Sequence, residues 1–193
     1  TTDAKLYVWG YNMYGQIGLG ANDPIFYLLP QLVSAPSGEK WYSVACGGLH
    51  TIASTVSGKV YTWGINIAGQ LGLNQEAMLS RCQGPVAMDC LTGRRVIHVA
   101  AGQQFSAALD VEGIVWLFGD NQFGQLCQGQ RASSLGGISI PNFVTSYQPV
   151  RAHLPSDVFI VDVIAGFFHV AAISADGGLF LWGRNNRGQL GRG

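Results

Sequence analysis

Charge is the first thing this sequence has little of. Only 11% of its 193 residues are charged, and lysine plus arginine balance aspartate plus glutamate at 11 each. A globular chain averages about 25% charged residues, so the strands here must be largely buried, and disorder is excluded. Zero net charge leaves no direct nucleic-acid signal and no global pull toward an acidic membrane. The cysteines Cys46, Cys82, Cys90 and Cys127 form no C-x-x-C pair and stand at no zinc-ligand spacing from a histidine. They read as free, mostly buried thiols in a reducing intracellular compartment, cytoplasmic or nuclear, with a Cys82–Cys90 disulfide as the open alternative. No N-x-S/T sequon occurs and no signal peptide opens the chain. The apolar run 158–173 is too short for a membrane span and contains Asp162, Gly166 and His169, so strand, turn, strand is expected there. Also missing are G-x-S-x-G, H-E-x-x-H, a Walker-type loop and G-x-G-x-x-G. The carboxylates are scattered without an acid–base pair. No catalytic residue, metal site or cofactor is expected.

What is abundant is glycine, at 27 residues without a collagen period, and it falls in a repeat. WGYNMYGQIG (9–18), WGINIAGQLG (63–72), FGDNQFGQLC (118–127) and WGRNNRGQLG (182–191) superimpose without gaps. A second motif precedes three of them: ACGGLHT (45–51), AAGQQFS (100–106) and IAGFFHV (164–170). Its glycine stands 16 residues before the motif aromatic each time: Gly47 and Trp63, Gly102 and Phe118, Gly166 and Trp182. A fixed separation means a rigid unit joins the motifs.

That interval has strand chemistry. Apolar runs flank the hairpin glycine, and a turn dipeptide follows (Ser57-Gly58, Glu112-Gly113, Asp176-Gly177), read as a two-residue hairpin. A third run enters the motif aromatic. A short fourth strand is expected at 31–33, 85–88 and 149–152, with Pro30, Pro85 and Pro149 near the starts of edge strands. Helical periodicity is absent. The expected fold class is therefore all-β, a β-propeller of four-stranded antiparallel blades. The single partial propeller, 1–193, divides into a blade part at 5–33, blades at 41–90 and 95–153, and a blade part at 159–183.

These motifs resemble the regulator-of-chromosome-condensation repeat family, whose hallmark is W-G-x-N-x-x-G-Q-L-G preceded by an A-x-G-x-x-H-[ST] hairpin. The resemblance covers nearly the whole chain. It implies a seven-bladed propeller, of which this is about half. The open sheet edges then need remaining blades or a second copy. A piece of a longer propeller is expected, with a natural half-ring that dimerises as the alternative. The function expected is a non-enzymatic protein-interaction scaffold with a protein partner. The alternative the resemblance raises is a guanine-nucleotide exchange factor or regulator for a small GTPase. Exchange factors of this type use acidic and histidine hairpin residues. Here Gly48, Gln103 and Phe167 follow the hairpin glycine and none is acidic. A third possibility, ultraviolet sensing, needs a G-W-R-H-T cluster that is absent.

Each conspicuous residue has a bland reading beside a functional one. Trp9, Trp63 and Trp182 are expected as inter-blade core, with the indole N–H satisfied locally. The asparagines Asn12, Asn66, Asn121 and Asn185 are expected as turn residues rather than a ligand ring. For Gln16, Gln70, Gln125 and Gln189, side-chain amides tying one blade loop to the next are expected. The glycines Gly10, Gly64, Gly119, Gly183, Gly15, Gly69, Gly124 and Gly188 supply positive φ or close approach. Candidate partner contacts are the hairpin residues Gly48, Leu49, His50, Gln103, Gln104, Phe167, Phe168 and His169. To these the long connection 128–147 adds Ile138, Ile140, Phe143 and Tyr147. No partner is apparent for His98, and Arg184, Arg187 and Arg192 read as a solvated loop.

Overall fold

The computed structural model describes residues 1–20, 24–74, 81–129, 133–135, 138–140 and 145–192, the two short internal segments by backbone alone. β1 (Leu6–Tyr11) and β2 (Phe26–Val33) make a two-stranded sheet. β3 (Trp41–Cys46), β4 (His50–Thr55), β5 (Val60–Ile65) and β6 (Arg81–Ala87) form an antiparallel four-stranded blade in sequence order. The next blade holds β7 (Val96–Ala101), β8 (Phe105–Asp110) and β9 (Val115–Asp120). A separate hairpin of β10 (Ser133–Leu135) and β11 (Ile138–Ile140) follows, and then β12 (Thr145–Arg151) completes the blade as its outer strand. β13 (Ile160–Ala165), β14 (His169–Ser174) and β15 (Leu179–Gly183) form a three-stranded sheet. Among the described residues no helix is long and apolar enough to cross a membrane.

Both faces of a middle strand are covered by neighbouring blades, which is why β4 and β8 read as unbroken runs and are buried along their whole length. Three apolar cores result, one per junction. Leu6, Val8 and Ile17 meet Trp41, Ala53 and Trp63. Ile52, Val60 and Met88 meet Val96, Ala108 and Phe118. Leu109, Leu117 and Leu126 meet Ile160, Val163 and Ala172. Ala53, Ala108 and Ala172 each stand six residues past a hairpin glycine and are fully or nearly fully buried. Their small side chains let adjacent sheets approach at the narrow end of each blade.

Two local expectations are corrected. The turns at 55–59, 110–114 and 174–178 are three-residue loops, not two-residue ones. The Gly58 N–H donates to the Thr55 carbonyl and the Thr55 N–H to the Lys59 carbonyl, both at 2.9 Å, and the other two turns repeat this. Gly58, Gly113 and Gly177 take φ of +90°, +74° and +86°, the left-handed residue that closes such a loop. The fourth strands also begin four or five residues earlier than expected, and their prolines lie inside them. Pairing skips from Gln31 to Tyr27 opposite Val8 and Gly10, from Val86 to Cys82 opposite Thr62 and Gly64, and from Val150 to Ser146 opposite Leu117 and Gly119. The bulge faces Trp9, Trp63 and Phe118 and contains Pro30, Pro85 and Pro149, where a missing N–H breaks no ladder bond. None of the four cysteines is in a disulfide, as one reading expected, but Cys46 and Cys90 are exposed and Cys82 and Cys127 half-buried.

The hairpin glycine is needed for space. A methyl group at Gly102 would overlap the Phe105 ring, and at Gly47 or Gly166 it would overlap His50 or His169. At Gly124, with φ +78°, nothing lies within 4 Å of an added methyl. Gly102→Ala is expected to destabilise by roughly 3 kcal/mol through overpacking, and Gly124→Ala by only about 1 kcal/mol through left-handed strain. Chemical denaturation of both variants checks the order.

Candidate functional site

The hairpins and the motif loops lie at the same end of each blade, because His50 pairs with Gly64, Phe105 with Gly119 and His169 with Gly183. Each loop is closed by its own side chains. The Asn12, Asn66, Asn121 and Asn185 Oδ1 atoms accept the N–H five residues on, at 2.9 Å. The Gln16, Gln70, Gln125 and Gln189 Oε1 atoms accept the N–H two residues back, at 2.8–2.9 Å. The glutamine amide therefore folds its own loop instead of tying it to the next blade. The tie is the glutamine backbone carbonyl. Gln16 O accepts from Trp63 Nε1 and Thr51 Oγ1, both at 2.8 Å. Gln70 O accepts from Ser106 Oγ at 2.9 Å, and Gln125 O from Trp182 Nε1 at 2.8 Å. Phe118 has no side-chain N–H to give, and Ser106, at the position of Thr51, is the donor to that carbonyl. Trp9 is 61% exposed, against the expectation of inter-blade core.

A backbone chain joins the hairpins across the junctions. Gly48 N–H donates to Gly102 O and Gln103 O, both at 3.2 Å, and Gln103 N–H donates to Phe167 O at 3.0 Å. Leu49 O, Gln104 O and Phe168 O accept from Ile65, Asp120 and Arg184 at 3.1, 2.8 and 2.9 Å. Of the candidate contacts, Gly48 and Phe167 are exposed, and Leu49, Gln103, Gln104, Phe168 and His169 are half-buried. His50 is 1% exposed and is corrected to a junction residue. Its Nε2 lies 2.8 Å from Ser106 Oγ. Since Ser106 gives its hydrogen to Gln70 O, His50 Nε2–H must be the donor, which leaves Nδ1 bare, buried and unpartnered. Burial pushes the His50 pKa down to about 4, because a proton on Nδ1 would find no acceptor. Tyr147 is half-buried against the preceding blade: a methyl at Gly69 would meet its Cα and ring at 2.9 Å. Ile138 and Ile140 pair through their backbones with Leu135 and Ser133, and Phe143 lies outside the described residues.

Two clusters went unread in the sequence. Ser43, His98 and Asp162 form a row across β3, β7 and β13, each four residues before a hairpin glycine, and that equal spacing was the available signal. His98 Nδ1 is 3.4 Å from Ser43 Oγ and its Nε2 is 3.5 Å from Asp162 Oδ1. Ser43 Oγ also accepts the Val99 N–H at 3.3 Å. At these separations the row is a loose polar contact between blades and not an aligned nucleophile–base pair. Among the described residues no group of three or more His, Cys, Asp or Glu could hold a metal ion. Partial burial raises the thiols of Cys46 and Cys90, and that of Cys127 to about 11, so none of the three is a ready thiolate nucleophile.

The second cluster sits at the last junction. The Arg184 guanidinium lies 4.9 Å from the Phe123 ring centroid and 5.4 Å from that of Phe168. Phe123 and Phe168 are 5.1 Å apart, and Phe167 meets Phe168 edge-on at 4.7 Å. The expected solvated arginine loop is thus partly a stacked one.

Family models described as Regulator of chromosome condensation (RCC1) repeat match residues 3–54, 57–109 and 112–173, and a second model of that description matches 41–70, 96–125 and 160–189. The Ultraviolet-B receptor UVR8 of Arabidopsis thaliana is 34% identical over 193 residues, covering 100% of this chain and 40% of that protein. The human probable E3 ubiquitin-protein ligase HERC4 is 30% identical over 191 residues, covering 98% and 17%. The solved structure of Prp20p from Saccharomyces cerevisiae, described with its binding properties to Gsp1p and histones, superposes with a TM-score of 0.75 at 26% identity over 97% of this chain and 43% of that one. The chain spans less than half the length of each of these relatives.

The junction bonds make two expectations. Trp63→Phe alone should cost about 1 kcal/mol, because Thr51 still serves Gln16 O. Combined with Thr51→Val, the loss should exceed the sum of the two single losses by roughly 1–3 kcal/mol, the penalty of a stranded buried carbonyl. A double-mutant cycle in urea reads that excess. The second concerns acid. His50 is neutral in the fold and protonates near its ordinary 6.5 when unfolded, so its contribution is complete above pH 6.5. It is lost as pH falls toward 4, by about 3 kcal/mol in all. His50→Phe, which copies Phe105, should flatten the stability profile over that range, measured by denaturation at stepped pH.

Proposed function

The chain belongs to the regulator of chromosome condensation (RCC1) repeat family, and from that premise we propose that it is a non-enzymatic interaction scaffold whose hairpin end carries the partner face. The observation that carries this reading is the backbone chain from Gly48 to Gln103 to Phe167. It holds three hairpins side by side with main-chain atoms only, so the side chains of Gln103 and Phe167 are free to differ, whereas a side chain at Gly48 would run into the Gln103 carbonyl. A stiff support bearing variable side chains is what recognition of another protein requires. The connection 128–147, with Ile138, Ile140, Phe143 and Tyr147, extends the same reading to a second contact region.

Guanine-nucleotide exchange on a small GTPase is the second reading, favoured by the superposition on Prp20p, which is described as binding Gsp1p. The hairpin side chains weigh against it, since Gly48, Gln103 and Phe167 present no carboxylate. Light sensing like that of the ultraviolet-B receptor lacks its tryptophan: Trp9, Trp41, Trp63, Trp116 and Trp182 all stand in strands and none in a hairpin.

The test uses the full-length protein. Affinity capture should yield a partner whose binding falls at least tenfold with Gln103→Glu at the hairpin end and by less than twofold with Lys59→Glu at the turn end. Nucleotide release from a panel of Ran-like and Rab-like GTPases should not accelerate. Equal loss with both substitutions, or none with either, sinks the face assignment, and accelerated release replaces the scaffold reading with exchange.

A further inference from the structure

We propose that Phe123, Phe167, Phe168 and Arg184 form a docking site for an acidic protein segment, with Arg184 receiving a carboxylate and Phe167 packing against the apolar neighbour of that carboxylate. This rests on the scaffold reading above and gives it a location and a ligand chemistry.

The site is assembled from four positions at which the repeats differ, the first being that of Gly48, Gln103 and Phe167. After the first glycine of the repeat motif stand Tyr11, Ile65, Asp120 and Arg184. Within the loop stand Tyr14, Ala68, Phe123 and Arg187. In the hairpin stand Leu49, Gln104 and Phe168. Only at the last junction do these positions bring an arginine between two phenyl rings. The guanidinium is held before any partner arrives. Two ring faces lie against it, Arg184 Nε donates to Asn186 Oδ1 at 2.7 Å, and Arg184 N–H is bonded to Phe168 O. With Nε committed, the two terminal nitrogens remain to grip a carboxylate in a fork. Much of the side-chain entropy that binding would cost is already spent.

The charge balance names the partner's sign. At the turn end Lys59 pairs with Glu39 at 2.9 Å and Arg94 with Glu112 at 3.0 Å, while Lys40 and Arg95 join no ion pair among the described residues. Among the described residues neither Arg184 nor Arg187 joins an ion pair. The three segments that build the site, 121–128, 163–175 and 177–193, contain no aspartate or glutamate. Asp120, beside the loop, is buried and spends its oxygens on Gln122 N–H and Gln125 Nε2. A fixed positive site next to a 61% exposed phenylalanine on a pinned hairpin matches the anchors that dominate interfaces, where aromatic and arginine side chains are enriched. Two arginines on a chain of zero net charge are too few to follow a nucleic-acid backbone.

A random twelve-residue peptide library displayed on phage, selected against the full-length protein, tests this. The enriched peptides should share an aspartate or glutamate beside an aromatic or aliphatic residue. A synthetic copy of the best peptide, followed by fluorescence polarisation, should bind at least tenfold more weakly to Arg184→Gln, and three- to tenfold more weakly to Phe167→Ala. Arg184→Glu should prefer the same peptide with lysine in place of its acid, which shows a folded, re-addressed site. Peptides without acidic enrichment, or equal binding to wild type and Arg184→Gln, overturn the proposal. If Gln103→Glu abolishes partner capture while Arg184→Gln leaves both peptide and partner binding intact, this site falls and the scaffold reading stands. If neither substitution moves anything, both fall.

Discussion

Blades of this fold meet through apolar faces, and apolar contact alone leaves two sheets free to slide and rotate. Beside the backbone bonds between hairpins, what limits that freedom is a recurring main-chain acceptor, the carbonyl of Gln16, Gln70 or Gln125, which a side chain of the following blade reaches. The motif around it exists to aim that carbonyl. Its asparagine accepts from five residues ahead and its glutamine from two residues behind, so the loop is closed before the neighbour arrives. The donor can then vary. Trp63 and Thr51 share the first carbonyl, Ser106 takes the second and Trp182 the third. The fixed element is the buried acceptor, and its cost when unmatched is what keeps some donor in place at every junction.

Ser106 illustrates how tightly this couples to the rest. Because its hydrogen goes to Gln70 O, its oxygen is left to accept from His50, and that choice sets the histidine tautomer and strands Nδ1. The His50 acid sensitivity thus follows from its burial together with that tautomer. The same loop shows the converse at Gln70. Its amide nitrogen has no partner among the described residues, whereas Asp120 satisfies the equivalent nitrogen of Gln125. Ile65 occupies the corresponding place in the second blade, so one residue type decides whether the loop is fully satisfied.

The strand order of the blades was legible in the sequence because the signal is periodic: two motifs at a constant separation, with apolar runs between them. What was illegible has physical causes. The outer strands carry glycine and proline in their middles, as in Arg81–Ala87 with Gly84 and Pro85, and only pairing reveals that a bulge absorbs them. The glutamines were assigned the right loop and the wrong atom, since a motif reads the same whether the side chain or the main chain makes the contact. His50 looked like a surface candidate because its hairpin is at the surface, yet Gly47 lets the ring lie flat beneath it. The Arg184 cluster joins residues 61 positions apart in sequence, from Phe123 to Arg184, so no local pattern announces it.

The separation of locking atoms from displayed atoms is what makes such a scaffold adaptable. Gly48, Gln103 and Phe167 exchange main-chain bonds in one continuous chain, and at the last two positions those bonds carry an amide and a phenyl ring alike. A substitution at Gln103 or Phe167 alters the surface without moving the support, whereas a side chain at Gly48 would meet the Gln103 carbonyl, and a methyl group on the glycine one residue earlier collides with the ring three residues on. Recognition can therefore change by single side chains at the hairpin end, provided the carbonyls behind it keep their donors.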